Sequence, residues 1–96
     1  MKYFLVEGIL THPEKMTKQL MEEHQSYTGS MMKEGTVLFS SLKCDMSASV
    51  TVIKAETEEM VQKFYGREPF FKNGILTYRI SELEVHYHIP DGESWF

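Results

Sequence analysis

Of the side chains whose types can move a proton near neutral pH, two stand out by their place in the sequence: the imidazole of His24 and the carboxylate of Glu68. Histidines titrate near pH ~6.5, and one becomes a directed acid or base once a second group fixes which ring nitrogen holds the proton. On a helical wheel of about 100° per residue, Met16, Leu20, Met21, Tyr27, Met31 and Met32 share one broad arc, with His24 near its middle. Lys15, Lys18, Glu22, Gln25, Ser26 and Lys33 take the other side, so the histidine faces inward. Such an imidazole is either a proton-transfer group or a core side chain satisfied by a backbone carbonyl or a tyrosine. Glu68 directly precedes Pro69-Phe70-Phe71. Proline confines the residue before it to extended conformations, which holds the carboxylate on a stiffened turn. The alternative for Glu68 is a solvated loop carboxylate.

Other groups offer less. His86 and His88 alternate on a strand-like run and would share a face, but two imidazoles are too few for a metal site. The lone Cys44 has neither a neighbouring histidine nor a helix start to lower its pKa, which argues against a nucleophile. The seven methionines mostly fall on helix faces, where they fill a core. Trp95-Phe96 closes a polar tail, 89–96, and is expected to dock on the protein itself.

The elements that must position His24 and Glu68 read in the order βαββαβ. Lys2 to Ile9 is rich in aromatic and branched residues and reads as a first strand. Thr11 and Glu14 have capping-box spacing with Pro13 between them, predicting a helix from there to about Glu34, ended by Gly35. Thr36 to Lys43 and Ser49 to Ala55 are strands of a hairpin. Thr57 caps a second helix that stops at Gly66, Arg67 to Gly74 is a bulky loop or short turn, and Ile75 to His88 is the last strand, bent near Ser81-Glu82-Leu83. This order in a 96-residue chain predicts one domain, 1–96, of α+β class: a ferredoxin-like four-stranded antiparallel sheet with both helices on one face.

A sheet covered on one face should alternate, yet Tyr3, Leu5 and Phe4, Val6 are apolar on both parities. Val37, Phe39 and Leu38, Leu42 repeat this, as do Val50, Val52 and Thr51, Ile53. Two helices cannot cover both faces, so a homodimer packed sheet to sheet is expected. A formal charge of -4 with scattered lysines excludes a nucleic-acid or anionic-membrane surface as the expected partner. Glu7 interrupts the apolar start, which therefore fails as a signal peptide or membrane span, and a single cysteine suits a reducing compartment. The expected location is the cytoplasm.

The chain resembles the YCII-related domain family. The resemblance rests on Glu23-His24 followed by Tyr27, then Lys33-Glu34-Gly35-Thr36-Val37-Leu38. It continues through Ser49 to Ala55 leading into an acidic helix, and through Glu68-Pro69-Phe70 followed by Lys72-Asn73-Gly74-Ile75-Leu76. It implies a dimeric α+β barrel and an active site formed by His24 and Glu68, where many relatives carry an aspartate in place of the glutamate. Where many relatives have a Gly-Pro pair after the second strand, this chain has Ser40-Ser41-Leu42. Tyr27, Ser41 and Phe70 are the candidate ligand contacts, a plain strand serine being the other reading of Ser41. The implied activity is lyase-, isomerase- or dehydrohalogenase-like general acid/base chemistry on a small molecule, with no metal or organic cofactor. A dimeric module that binds a small ligand or a protein without catalysis is the alternative.

Overall fold

A computed structural model of the chain describes residues 1–92 and 94–96. Four strands, β1 (Lys2–Leu10), β2 (Val37–Leu42), β3 (Ala48–Ala55) and β4 (Leu76–Leu83), form one sheet in the order β2-β3-β1-β4, and every neighbouring pair is antiparallel. Three helices intervene: α1 (Lys18–Lys33), α2 (Glu58–Gly66) and the single turn α3 (Pro69–Lys72). This is the ferredoxin-like arrangement that the order of elements predicts. The helices cover one face. Phe4 and Val6 of β1 align with Ile53 and Thr51 of β3, and all four are buried with Val61 and Tyr65 of α2 and Met31 of α1.

The first helix starts later than its sequence predicts. The Thr11 hydroxyl donates to Ile75 O at 3.1 Å, and Glu14 Oε1 turns to the His12 ring at 3.0 Å, so the two halves of the expected capping box are used elsewhere. Pro13–Lys15 forms one 3-10 turn, after which Met16 is extended, with φ -71 and ψ 130. The true cap is Thr17, whose Oγ1 accepts from the Leu20 N–H at 3.1 Å. In the same way, the last strand ends at Leu83, because its partner β1 runs out there: Leu83 lies opposite Tyr3. His86 and His88 therefore lie beyond the sheet, and His88 Nδ1 donates to Ile89 O at 2.8 Å. The expected loop 67–74 contains α3, and Gly74 (φ 72) supplies the left-handed residue after it.

The opposite sheet face carries Tyr3, Leu5, Val50, Val52 and, across from Val52, Phe39. The tail covers one end of it. Tyr3 has Trp95 at 5.4 Å and Phe96 at 5.3 Å, and Lys54 Nζ lies 5.1 Å over the Trp95 ring. The Trp95 indole N–H donates to Gly35 O at 3.1 Å, so the tail docks on its own chain. Phe39 remains 43% exposed.

Candidate active site

His24 sits in the second turn of α1, on the side that α3 packs against. Glu68 is the residue before α3. Its extended backbone, set by Pro69, aims the side chain back over the turn, where Oε2 accepts from the Phe70 N–H at 3.0 Å and the Phe71 N–H at 3.1 Å. The Tyr78 hydroxyl of β4 donates to the same oxygen at 2.7 Å. The other oxygen, Oε1, accepts from His24 Nδ1. Glu68 is thus a buried carboxylate, only 1% exposed, and both its oxygens are satisfied.

Burial alone pushes the Glu68 carboxyl up, but the hydrogen bonds from His24, Tyr78 and the backbone outweigh it and hold the group below the ordinary carboxylate range. An ionised carboxylate only accepts, so the proton between the two residues belongs to His24 Nδ1, and the lone pair of the uncharged form of the ring is then on Nε2. Phe70 stacks on the imidazole with centroids 4.0 Å apart and planes 3° from parallel, which fixes the ring orientation. Burial raises the Tyr65 hydroxyl to about 12 and, together with the Glu68 charge, raises Tyr78 as well. Both phenols therefore stay protonated at neutral pH. The arrangement resembles the supported imidazoles that act as bases: an oriented ring, a buried anion behind it and a free nitrogen in front.

His24, Phe70, Met16, Met21 and Met46 are among the residues that line a cavity of about 400 Å³. His24 also lines a pocket of about 30 Å³, with Tyr27, Thr51, Glu68 and Tyr78. The structure brings His24, Glu68, Tyr27 and Phe70 together. Tyr27 spends its hydroxyl on Phe64 O, so it adds shape rather than a free donor. Ser41 reaches the rim of the larger cavity, but its hydroxyl donates to Val50 O at 2.9 Å. The serines common to both spaces are Ser40 and Ser49. Sequence reasoning marked Ser40 only as part of Ser40-Ser41-Leu42, and it missed Ser49 and Tyr78. The only trace of Tyr78 is its place between Leu76 and Ile80 on the inward parity of β4. Among the described residues, no group of three or more His, Cys, Asp or Glu could hold a metal ion, and no helix is long and apolar enough to cross a membrane.

No family model and no curated protein sequence matches the chain. A solved structure does: that of the 5-chloro-2-hydroxyhydroquinone dehydrochlorinase TftG from Burkholderia phenoliruptrix AC1100, in complex with 2,5-dihydroxybenzoquinone. The match has a TM-score of 0.65 and 14% identity, covering 85% of this chain and 93% of that one. At this identity the likeness shows a shared fold.

Proposed function

We propose that this chain is a small-molecule enzyme of the YCII-related kind, in which His24 takes and returns a proton and Glu68 orients the imidazole and stabilises its charged form. The observation that carries the reading is the pairing of His24 Nδ1 with a buried, fully hydrogen-bonded carboxylate beside a ligand-sized cavity. A core histidine needs a partner only for its own polar atoms. Here the partner is a charge whose burial is costly, and Nε2 is left unused. The reaction class is removal of a proton from carbon, followed by its return elsewhere or by loss of a leaving group. That is the common first step of isomerases, lyases and dehydrohalogenases. The dehydrochlorinase that shares the fold carries a name consistent with that class.

The outer sheet face supports a second part of the proposal, a homodimer. Leu5, Val50 and Val52, each half-buried, and the exposed Phe39 line up on this face as an apolar surface.

Exchange of acidic C–H protons into deuterium oxide, followed by proton NMR over a panel of neutral carbonyl compounds, tests the chemistry. Wild type is expected to accelerate exchange of at least one compound, and His24→Ala to lower that rate about 10²–10⁴-fold. The nitrogen-15 spectrum of His24 should report the Nδ1–H tautomer in wild type and a mixture in Glu68→Gln. Full exchange in His24→Ala, or a tautomer indifferent to Glu68, would sink the assignment in favour of a binding module.

A further inference from the structure

The apolar cavity and the small polar pocket are separate spaces that share three lining residues, His24, Ser40 and Ser49. At this junction the two serines differ. Ser40 Oγ is engaged with Thr51 Oγ1 at 3.0 Å, whereas the Ser49 hydroxyl makes no side-chain hydrogen bond among the described residues. Ser49 pairs with Gly8 across β1 and β3, and its Oγ lies 2.5 Å from where a Cβ on Gly8 would stand. The absence of a side chain at Gly8 is what leaves room for that hydroxyl.

The lining of the larger cavity contains no Asp, Glu, Lys or Arg, and its walls are Leu10, Leu42, Leu76, Phe70 and three methionines beside the junction. An anionic ligand would find no counter-charge there and would face the Glu68 carboxylate behind His24. An uncharged ligand with an apolar body fits. Its polar end has two dissimilar groups to meet at the junction. His24 Nε2 is an acceptor and Ser49 is a free donor. A base beside a hydroxyl donor is the pair that proton removal next to a carbonyl needs.

We propose that Ser49 binds the carbonyl oxygen of a neutral, largely apolar ketone or enone seated in the cavity, a substrate class that rests on the reading of His24 as the base. In the step, the carbon–hydrogen bond α to the carbonyl breaks and the proton goes to Nε2. The electron pair forms the carbon–carbon double bond of an enolate, and the charge moves to the oxygen that the Ser49 hydroxyl holds. Returning the proton to another carbon, or expelling a leaving group with its electron pair, completes an isomerisation or an elimination. Neither route needs an oxidant or a co-reactant.

Equilibrium binding by NMR titration of 2-tetralone, tetralin and 2-naphthoate tests this, because the three share a fused-ring body and differ in the group offered to the junction. Wild type is expected to bind 2-tetralone about tenfold more tightly than tetralin or 2-naphthoate, the worth of one hydrogen bond to a buried partner. Ser49→Ala should bring 2-tetralone to within about twofold of tetralin, and Ser49→Thr, which keeps the hydroxyl, should restore the preference. Gly8→Ala, which displaces the hydroxyl without deleting it, should behave like Ser49→Ala. Unchanged preference in Ser49→Ala, equal or tighter binding of 2-naphthoate, or no saturable binding of 2-tetralone by folded wild type would each overturn the proposal. The titration needs no turnover, so it separates from failure of the base assignment. That failure appears as proton exchange surviving His24→Ala while the Ser49-dependent preference stands.

Discussion

Glu68 gathers two backbone N–H groups, one phenol and one imidazole onto a single buried carboxylate, and its charge is therefore part of the folded state. Because the folded carboxyl is held below its unfolded value, it adds stability that is present above the ordinary carboxylate range and is lost as pH falls through the folded value. Chemical denaturation of wild type should show stability declining below about pH 4, and Glu68→Gln should remove that part of the acid dependence while costing about 2–3 kcal/mol at neutral pH. A Glu68→Gln curve that keeps the wild-type acid slope would show that other carboxylates set it. Tyr78→Phe removes one donor from Oε2 and should cost about 1–2 kcal/mol while moving the Glu68 carboxyl upward, as read by carbon-13 NMR of its carboxyl. The pair His24 and Glu68 was legible in the sequence through one helix face and one proline. Tyr78 and Ser49 were not, because what qualifies them is cross-strand register with Gly8, and register is decided by pairing over the whole sheet.

The start of α1 separates local pattern from tertiary context at the level of elements. Thr11, Pro13 and Glu14 satisfy every short-range rule for a helix start, and the helix still begins at Thr17. What wins is the end of β1. The backbone N–H groups of Thr11 and His12 both donate to Ile75 O at 2.9 Å, tying this segment to the residue before β4. A chain held there can make only one 3-10 turn before the helix axis must point across the sheet. Thr17→Ala should therefore cost about 1 kcal/mol in thermal or chemical unfolding. Glu14→Ala should leave stability unchanged within error, since its carboxylate is exposed and its side-chain partner is the likewise exposed His12 ring. The reverse ranking would restore the sequence-level cap. The first three strands, their hairpin and α2 suffered no such conflict: Thr57 caps α2 as its sequence predicts, accepting from the Met60 N–H at 3.3 Å.

The two faces of the sheet pose the question of the whole molecule. The inner face is closed by α1 and α2, and on the outer face Trp95 and Phe96 lie over Tyr3 and Lys54 at one end. Leu5 and Val52 are paired neighbours at the middle of that face, and Phe39 stands opposite Val52 on the edge strand. Apolar cross-strand neighbours of this kind stay in water only at a cost of ~25 cal/mol for each Å² left uncovered. A second copy of the same face removes that surface by two-fold symmetry, with no further partner required. Light scattering coupled to size exclusion should therefore find a dimer at micromolar concentration. Phe39→Glu, on an edge strand where the side chain contributes little to the monomer core, should give a folded monomer with an unchanged far-ultraviolet spectrum, since each copy would bring an unpaired charge into the apolar contact. A wild type that stays monomeric over that range would show that the tail and solvent suffice for this face. Both-parity apolar strands would then reflect the demands of the tail at Tyr3 rather than those of a partner.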